Sequence, residues 1–320
     1  MLEREKDIND LKNKIEELQK LALEKKTDFG EEISILEAKL EKMKADLIRN
    51  LSPMDKLALS RLVERPTTLD YIEKIFDGFI ELHGDRNFAD DPSIVGGIAR
   101  LGDLPVTVIG QQKGRDIKEN VKRNFGMPKP EGFRKALRLM KQAEKFQRPV
   151  ICFVDTPGAD PGAGAEERGQ GEAIARNLMD MINLRVPVIS IVIGEGGSGG
   201  ALALSVADEI WMLEHSVYAI LSPEGFASIL WKDAKRAQEA AQKMKITAQD
   251  LLALGLIDKI IPEPPGGAHH DPDKMAASIR DCLLQVPFKS MIAQGEELTG
   301  RRYEKYRQIG SYLESDNNIQ

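Results

Sequence analysis

The chain has 320 residues, 42% of them hydrophobic, and a formal charge of −6; it can build a sizeable core in one large domain or two smaller ones, and its acidity argues against a general nucleic-acid binder. Its two cysteines, Cys152 and Cys282, form no CxxC pair, which argues against a disulfide framework and a four-ligand zinc site and places the chain in a reducing cytosol. No run approaches the roughly 18 apolar residues of a spanning helix, and the acid-rich start lacks the apolar stretch of a secretory signal, so a cytoplasmic protein without membrane contact is expected.

Residues 2 to 50 carry apolar positions at helical spacing: Ile8, Leu11, Ile15 and Leu18, then Ile33, Leu36, Leu40, Met43 and Leu47. Between them Thr27-Asp28-Phe29-Gly30 breaks the pattern, so two short antiparallel helices form a hairpin over residues 1–50, ahead of a main domain over 51–320. After Pro66, Thr67 or Thr68 caps a helix whose apolar positions include Leu69, Ile72, Ile75, Phe76 and Phe79. Two strand-like runs follow, Ser93–Leu101 and Pro105–Gln111, joined by Gly102-Asp103-Leu104.

A βα alternation comes next. A helix from about Glu131 to Phe146 presents Phe133, Leu137, Met140 and Ala143, and the run from Pro149 to Val154 reads as a buried strand ending at Asp155. A helix over about Gly169 to Arg185, a buried strand at Val188–Ile193, a glycine-rich loop and a short helix around Ala201–Val206 follow. Short strands are expected at Glu209–Leu213 and Val217–Leu221. Near-continuous apolar strands separated by helices define an α/β architecture with a sheet covered on both faces.

The segment Gly194-Glu195-Gly196-Gly197-Ser198-Gly199-Gly200-Ala201-Leu202 lies between a buried strand and a helix. Four glycines in five residues exceed what a packing turn needs. They let backbone approach a ligand, and the N–H groups of a helix start favour a developing anion, so Gly196, Gly197, Gly199 and Gly200 are candidates for an oxyanion hole built from backbone. The same residues match G-x-S-x-G at Ser198, but a hydrolase also needs a histidine and an acid. Of His83, His215, His269 and His270, only His215 is suitably downstream, since His269 and His270 fall in a Pro/Gly-rich loop expected at the surface.

A second candidate segment, Asp155-Thr156-Pro157-Gly158-Ala159, follows a strand and suits a ligand cleft. Its D-x-x-G lacks the upstream phosphate loop of a GTPase. From Lys113 to Arg148 twelve Lys and Arg stand against four Asp and Glu, either a solvated helix face or a surface for an anion such as CoA phosphates or an acidic partner. Few aromatics interleave it, which gives nucleic acid no stacking platform. Lys243-Met244-Lys245 resembles the surroundings of a biotinylated lysine but sits in a helical segment, so covalent biotin is rejected there.

Together these stretches resemble the acetyl-CoA carboxylase carboxyltransferase alpha family. The likeness rests on Gln112-Lys113-Gly114-Arg115, Arg123 to Pro128, Pro130-Glu131-Gly132, Arg134 to Met140, Asp155 to Ala159, Gly164 to Gln170, Gly194 to Leu202, Ser222 to Gly225 and Ile261 to Pro264. It departs at Asp160, where the family often has an aromatic, and at Gln111, where it often has histidine.

The resemblance implies a crotonase-like spiral of ββα units with an N-terminal helical extension. It implies an α2β2 assembly with a beta subunit that usually carries a zinc ribbon, leaving no metal in this chain. It further implies carboxyl transfer from biotin on a separate carrier protein to acetyl-CoA, giving malonyl-CoA for fatty acid synthesis, with biotin carboxylase in the wider complex. The candidate site is then the glycine segment for the ureido oxygen of biotin, with Asp155 to Ala159, Lys113 and Arg115 binding substrate. A different crotonase-fold acyl-CoA enzyme, a hydratase or a decarboxylase subunit, and a Ser198 hydrolase are the alternatives.

Overall fold

The computed structural model describes residues 2–25, 29–48 and 51–310. Two N-terminal helices, α1 (Leu2–Lys25) and α2 (Gly30–Ile48), pack as a pair through Ile8, Ile15 and Leu40. At 24 and 19 residues they are longer than short helices, and Thr27 and Asp28 of the expected break lie outside the described residues.

The body opens with α3 (Pro53–Ser60) and α4 (Thr68–Ile75). Thr67 and Asp70 form a capping box at the start of α4, as the threonine pair predicts. The helix does not reach Phe79. Phe76 is extended and Gly78 takes φ +61°, so the chain turns into β1 (Asp77–Glu81), which holds Phe79. Strands β2 (Ile94–Leu101) and β3 (Leu104–Gln111) pair antiparallel in full register from Leu101↔Leu104 to Ile94↔Gln111.

After α5 (Ile117–Lys122), α6 (Pro130–Lys145) leads into β4 (Val150–Thr156). The buried stripe of α6 uses Leu139, with Leu137 only half-buried. Then come α7 (Ala163–Glu167), α8 (Gln170–Ile182), β5 (Val188–Gly197) and α9 (Ser198–Leu202). The remaining elements are β6 (Glu209–Leu213), β7 (Val217–Ala219), α10 (Pro223–Trp231), α11 (Ala237–Met244), α12 (Ala248–Ala253), β8 (Lys259–Ile261), α13 (Pro272–Gln285), α14 (Phe288–Gln294) and α15 (Glu296–Arg307).

One sheet runs β1-β2-β3-β4-β5-β6-β8, with β7 pairing to the end of β5. The first three strands are antiparallel and the rest parallel. Alternate side chains of each strand reach opposite faces. Ile151 and Phe153 of β4 join a core with α4 and α13, whereas Val150, Cys152 and Val154 join one with α6 and α8. A strand buried on both faces has no room for a polar alternation, which is why these runs read as continuously apolar.

Two further expectations are corrected. The loop at His269 and His270 is not surface: both histidines are half-buried with rings 4.1 Å apart, and Gly266, Gly267 and Ala268 before them are buried. The last predicted strand stops at Ala219, because Ser222 caps α10 immediately afterwards.

Candidate functional site

Central strands β4 and β5 run side by side, from Val150↔Val188 to Val154↔Val192 and, after a register shift, Thr156↔Gly196. Their carboxyl ends therefore open at the same place, where α/β sheets collect ligands. The glycine segment is not the loop its composition predicts. Strand β5 continues through Gly197, paired to β7 at Gly196↔Tyr218 and Gly197↔Ala219, and α9 begins at Ser198, before the expected Ala201. Strand passes to helix at Ser198 itself, which holds φ +50°, a left-handed conformation that L side chains adopt at some cost.

Each glycine's neighbours show what its missing side chain permits. A Cβ on Gly197 would lie 2.2 Å from the Pro157 carbonyl oxygen. One on Gly200 would lie 2.6 Å from the Ala159 nitrogen and the Gly158 carbonyl carbon. The structure thus brings the two candidate segments together, with the Pro157–Ala159 backbone pressed against the strand-to-helix turn. Gly199 differs: a Cβ there meets only Ile174, at an ordinary 3.5 Å.

Gly196 and Gly197 lie inside the β ladder, whereas Gly199 and Gly200 lie in the first turn of α9, where no side chain caps the N–H groups. Gly158, Ala159 and Gly199 are half-buried and Ser198 is exposed, so the turn is accessible. Thr156 Oγ1 donates to the Gly158 carbonyl at 2.7 Å and accepts its N–H at 3.1 Å, fixing the loop. Asp160 turns its carboxylate to the Gly162 N–H at 2.8 Å, and its backbone is tied to Pro128 and Gln170.

Polar side chains hold this backbone from one side. Asp155 Oδ1 accepts the Glu195 N–H at 3.0 Å and the Lys113 ammonium at 2.6 Å. Glu195 in turn accepts two hydrogen bonds from Arg61, at 2.9 and 2.6 Å. Arg65, buried, donates to the Ile193 carbonyl and pairs with Glu263 at 2.7 Å. Burial alone would raise the Glu263 carboxyl, but the Arg65 guanidinium reverses this and holds it down at about 2. Burial lowers the pKa of His215, whose backbone N–H also meets Glu263.

Lys113 therefore stands beside the site through Asp155. Arg115 does not: it is spent on Asp70 and on the Val63 and Arg65 carbonyls, fastening the α3–α4 linker. The basic stretch resolves largely into separate pairings. Lys135 is buried against Asp90 and the Asp91 carbonyl, Arg138 donates to the Gly84 carbonyl, and Lys141 pairs with Asp180. The G-x-S-x-G reading gains no triad here: among the described residues neither ring nitrogen of the buried His215 has a hydrogen-bond partner, whereas Ser198 is exposed. Lys243-Met244-Lys245 closes helix α11 with Lys245 left-handed, unlike a hairpin of strands.

Two cavities of different lining adjoin these segments. An apolar cavity of about 660 Å³ is lined by Ser198, Gly199, Leu202, Tyr218, Phe226 and Tyr306 among others. A cleft of about 320 Å³ has the charged residues Arg61, Lys113, Asp155 and Glu195 in its wall, with Asn120 and Pro157. Sequence reading missed Arg61, Arg65 and Tyr306, since each reaches the site from a distant element with no local motif, and it gave Glu195, inside the glycine segment, no role of its own.

A family model described as acetyl co-enzyme A carboxylase carboxyltransferase-like matches residues 1–310. The acetyl-coenzyme A carboxylase carboxyl transferase subunit alpha of Anoxybacillus flavithermus is 58% identical over 318 residues, covering 99% of this chain and 98% of its own. Among solved structures, transcarboxylase 12S superposes with a TM-score of 0.56 at 18% identity, over 83% of this chain and 47% of that one. A chain of a Pseudomonas malonate decarboxylase hetero-tetramer gives 0.58 at 19% identity, over 75% and 95%. These last two bear on the fold, which is the crotonase-like α/β architecture expected from the sequence.

Proposed function

Because the chain belongs to the acetyl-CoA carboxylase carboxyltransferase alpha family, we propose that it forms one half of an active site, transferring a carboxyl group to acetyl-CoA only when joined by its beta subunit. Membership makes it a carboxyltransferase subunit of a biotin-dependent enzyme. The finer reading has residues 1–50 as a helical extension and 51–320 as the carboxyltransferase domain, in a cytoplasmic α2β2 assembly served by a biotin carboxyl carrier protein and biotin carboxylase. Among the described residues no helix is long and apolar enough to cross a membrane.

The observation that carries the site assignment is the uncapped first turn of α9, laid against Pro157–Ala159 at the ends of β4 and β5. When bound, carboxybiotin would supply the carboxyl group and a ureido oxygen that carries negative charge as the group leaves and takes the proton given up by the methyl group of acetyl-CoA. The first-turn N–H groups of Gly199 and Gly200 meet that charge, aided by the positive end of the helix, and need no reorganisation to do so. The apolar cavity beside Gly199 suits the hydrocarbon part of the same group. Lys113, Asp155 and Thr156 keep the two backbone segments in place. Such a site works by position and fixed dipoles, with no side-chain acid or base required.

The test is malonyl-CoA formation from acetyl-CoA and carboxylated carrier, with this chain alone and with its beta subunit. Product is expected only in the mixture, and an assembled mixture without product overturns the reading. Gly199→Val should leave the complex assembled and abolish transfer, while an active variant removes Gly199 from the site.

A further inference from the structure

We propose that Gln111 is the positioning residue that sets the spacing between the two backbone segments of the site. It is the last residue of β3, is fully buried, and belongs to neither segment. Its Oε1 accepts the Asp155 N–H at 2.9 Å, and its Nε2 donates to the Gly200 carbonyl at 2.7 Å. One amide thus spans the start of the Asp155–Ala159 segment and the first turn of α9, positions 44 and 89 residues away in sequence.

The bridge is itself anchored. The Gln111 backbone carbonyl accepts the Thr68 hydroxyl at 2.5 Å, and Gln111 pairs with Ile94 in the sheet. Its partner carbonyl depends on it as well. In the short α9 the Ala203 N–H goes to Gly199 and the Leu204 N–H to Ala201, leaving the Gly200 carbonyl to the Gln111 amide. A buried carbonyl and a buried N–H are satisfied by one side chain that donates at one end and accepts at the other.

This complementarity is a chemical requirement, and it makes the role testable apart from mere packing. Methionine has the shape of glutamine without the bonds. Glutamic acid both donates and accepts when protonated, but only accepts when ionised. Neutral histidine also does both, and loses its acceptor when protonated. The charged and titratable groups around the bridge are Asp155 with Lys113, Glu195 with Arg61, and Arg65 with Glu263 and His215; they are common to every variant, so the wild type over the same pH range is the control.

The inference rests on the proposed function for its kinetic arm, so it has a second arm that does not. In the chain alone, hydrogen exchange at the Asp155 amide and across residues 198–203 should accelerate in Gln111→Met, and unchanged exchange overturns the proposal. In the assembled enzyme, kcat of Gln111→Met should fall about 10²-fold, the scale of a misplacement near 1 Å. Gln111→Glu should regain kcat as pH falls and Gln111→His should lose it, giving opposite slopes relative to wild type. Parallel slopes, or wild-type kcat in Gln111→Met, overturn the proposal. An inactive wild-type mixture alongside altered exchange counts against the carboxyltransferase reading alone.

Discussion

Substituting alanine at Gly199 and at Gly200 separates the steric demands of the turn from its chemistry. At Gly200 the new Cβ falls 2.6 Å from backbone atoms of Gly158 and Ala159, against the 3.4 Å at which ordinary contact begins, so the loop must withdraw by about 0.8 Å. Those atoms are peptide backbone tied by Thr156 and cannot rotate away. Overpacking of this kind costs about 1–3 kcal/mol, roughly 2–6 °C in Tm for a chain of this size. A shift of that length in one wall of the site should also lower kcat by about 10- to 100-fold.

At Gly199 the Cβ meets only the Ile174 side chain at 3.5 Å, in a helical turn where alanine is preferred to glycine by up to about 1 kcal/mol. Gly199→Ala keeps its N–H, so its Tm should equal or exceed that of wild type and its transfer rate should stay within about threefold. Differential scanning calorimetry of both variants, with the malonyl-CoA assay on the assembled enzyme, reads both quantities. A Gly200→Ala protein as stable and active as wild type would refute the close-approach reasoning.

Arg65→Met leaves the Glu263 carboxylate buried without its cation and should destabilise the chain by about 3–5 kcal/mol, measured as a fall in the denaturant midpoint. Folded His215 binds a proton less readily than the unfolded chain does, because burial lowers its pKa from 6.5; its contribution is complete above that pH and is lost as pH falls below it, so His215→Asn should flatten stability against pH there. The Glu263 contribution lies lower, lost between about 4.5 and about 2 as the depressed carboxyl is finally protonated, so the two windows can be told apart by thermal melts across pH. Ser198→Gly relieves the left-handed φ at some cost in unfolded-chain entropy, for a net gain of about 0–1 kcal/mol, and should retain transfer activity, since a nucleophilic Ser198 is the one reading that requires its loss.

How much of this was legible in the sequence follows from where the information sits. The α/β class, the hairpin seam of Ile8, Ile15 and Leu40, the Thr67 cap and the strand from Val150 were readable because periodicity and capping are local. The end of α4 was not, because Phe76 and Phe79 fit a helical stripe equally well and only the left-handed Gly78, with β2 waiting alongside, selects the strand. Nor was the true span of β5. Glycines at 194, 196 and 197 read as loop, yet Gly196 pairs with both β4 and β7 and Gly197 with β7, which holds the segment in the ladder, tertiary contact outweighing propensity.

The candidate site was half legible for a related reason. Its chemistry is assigned to backbone N–H groups, which every residue but proline carries, so a sequence can reveal only the glycines that let such groups be approached. It cannot reveal what they are pressed against. Pro157 and Ala159 lie about forty residues before the turn they pack on, and the side chains that fix the arrangement come from still further away: Arg61 from the end of α3, Arg65 from the linker after it and Gln111 from the end of β3. None forms a motif with its neighbours. Two are recognisable only by the backbone group they satisfy, the Ile193 carbonyl for Arg65 and the Gly200 carbonyl for Gln111, and Arg61 only by the Glu195 carboxylate it holds. A site built from main-chain dipoles thus hides its specificity in the residues that hold the main chain still, and that is where substitutions should change rate without touching substrate.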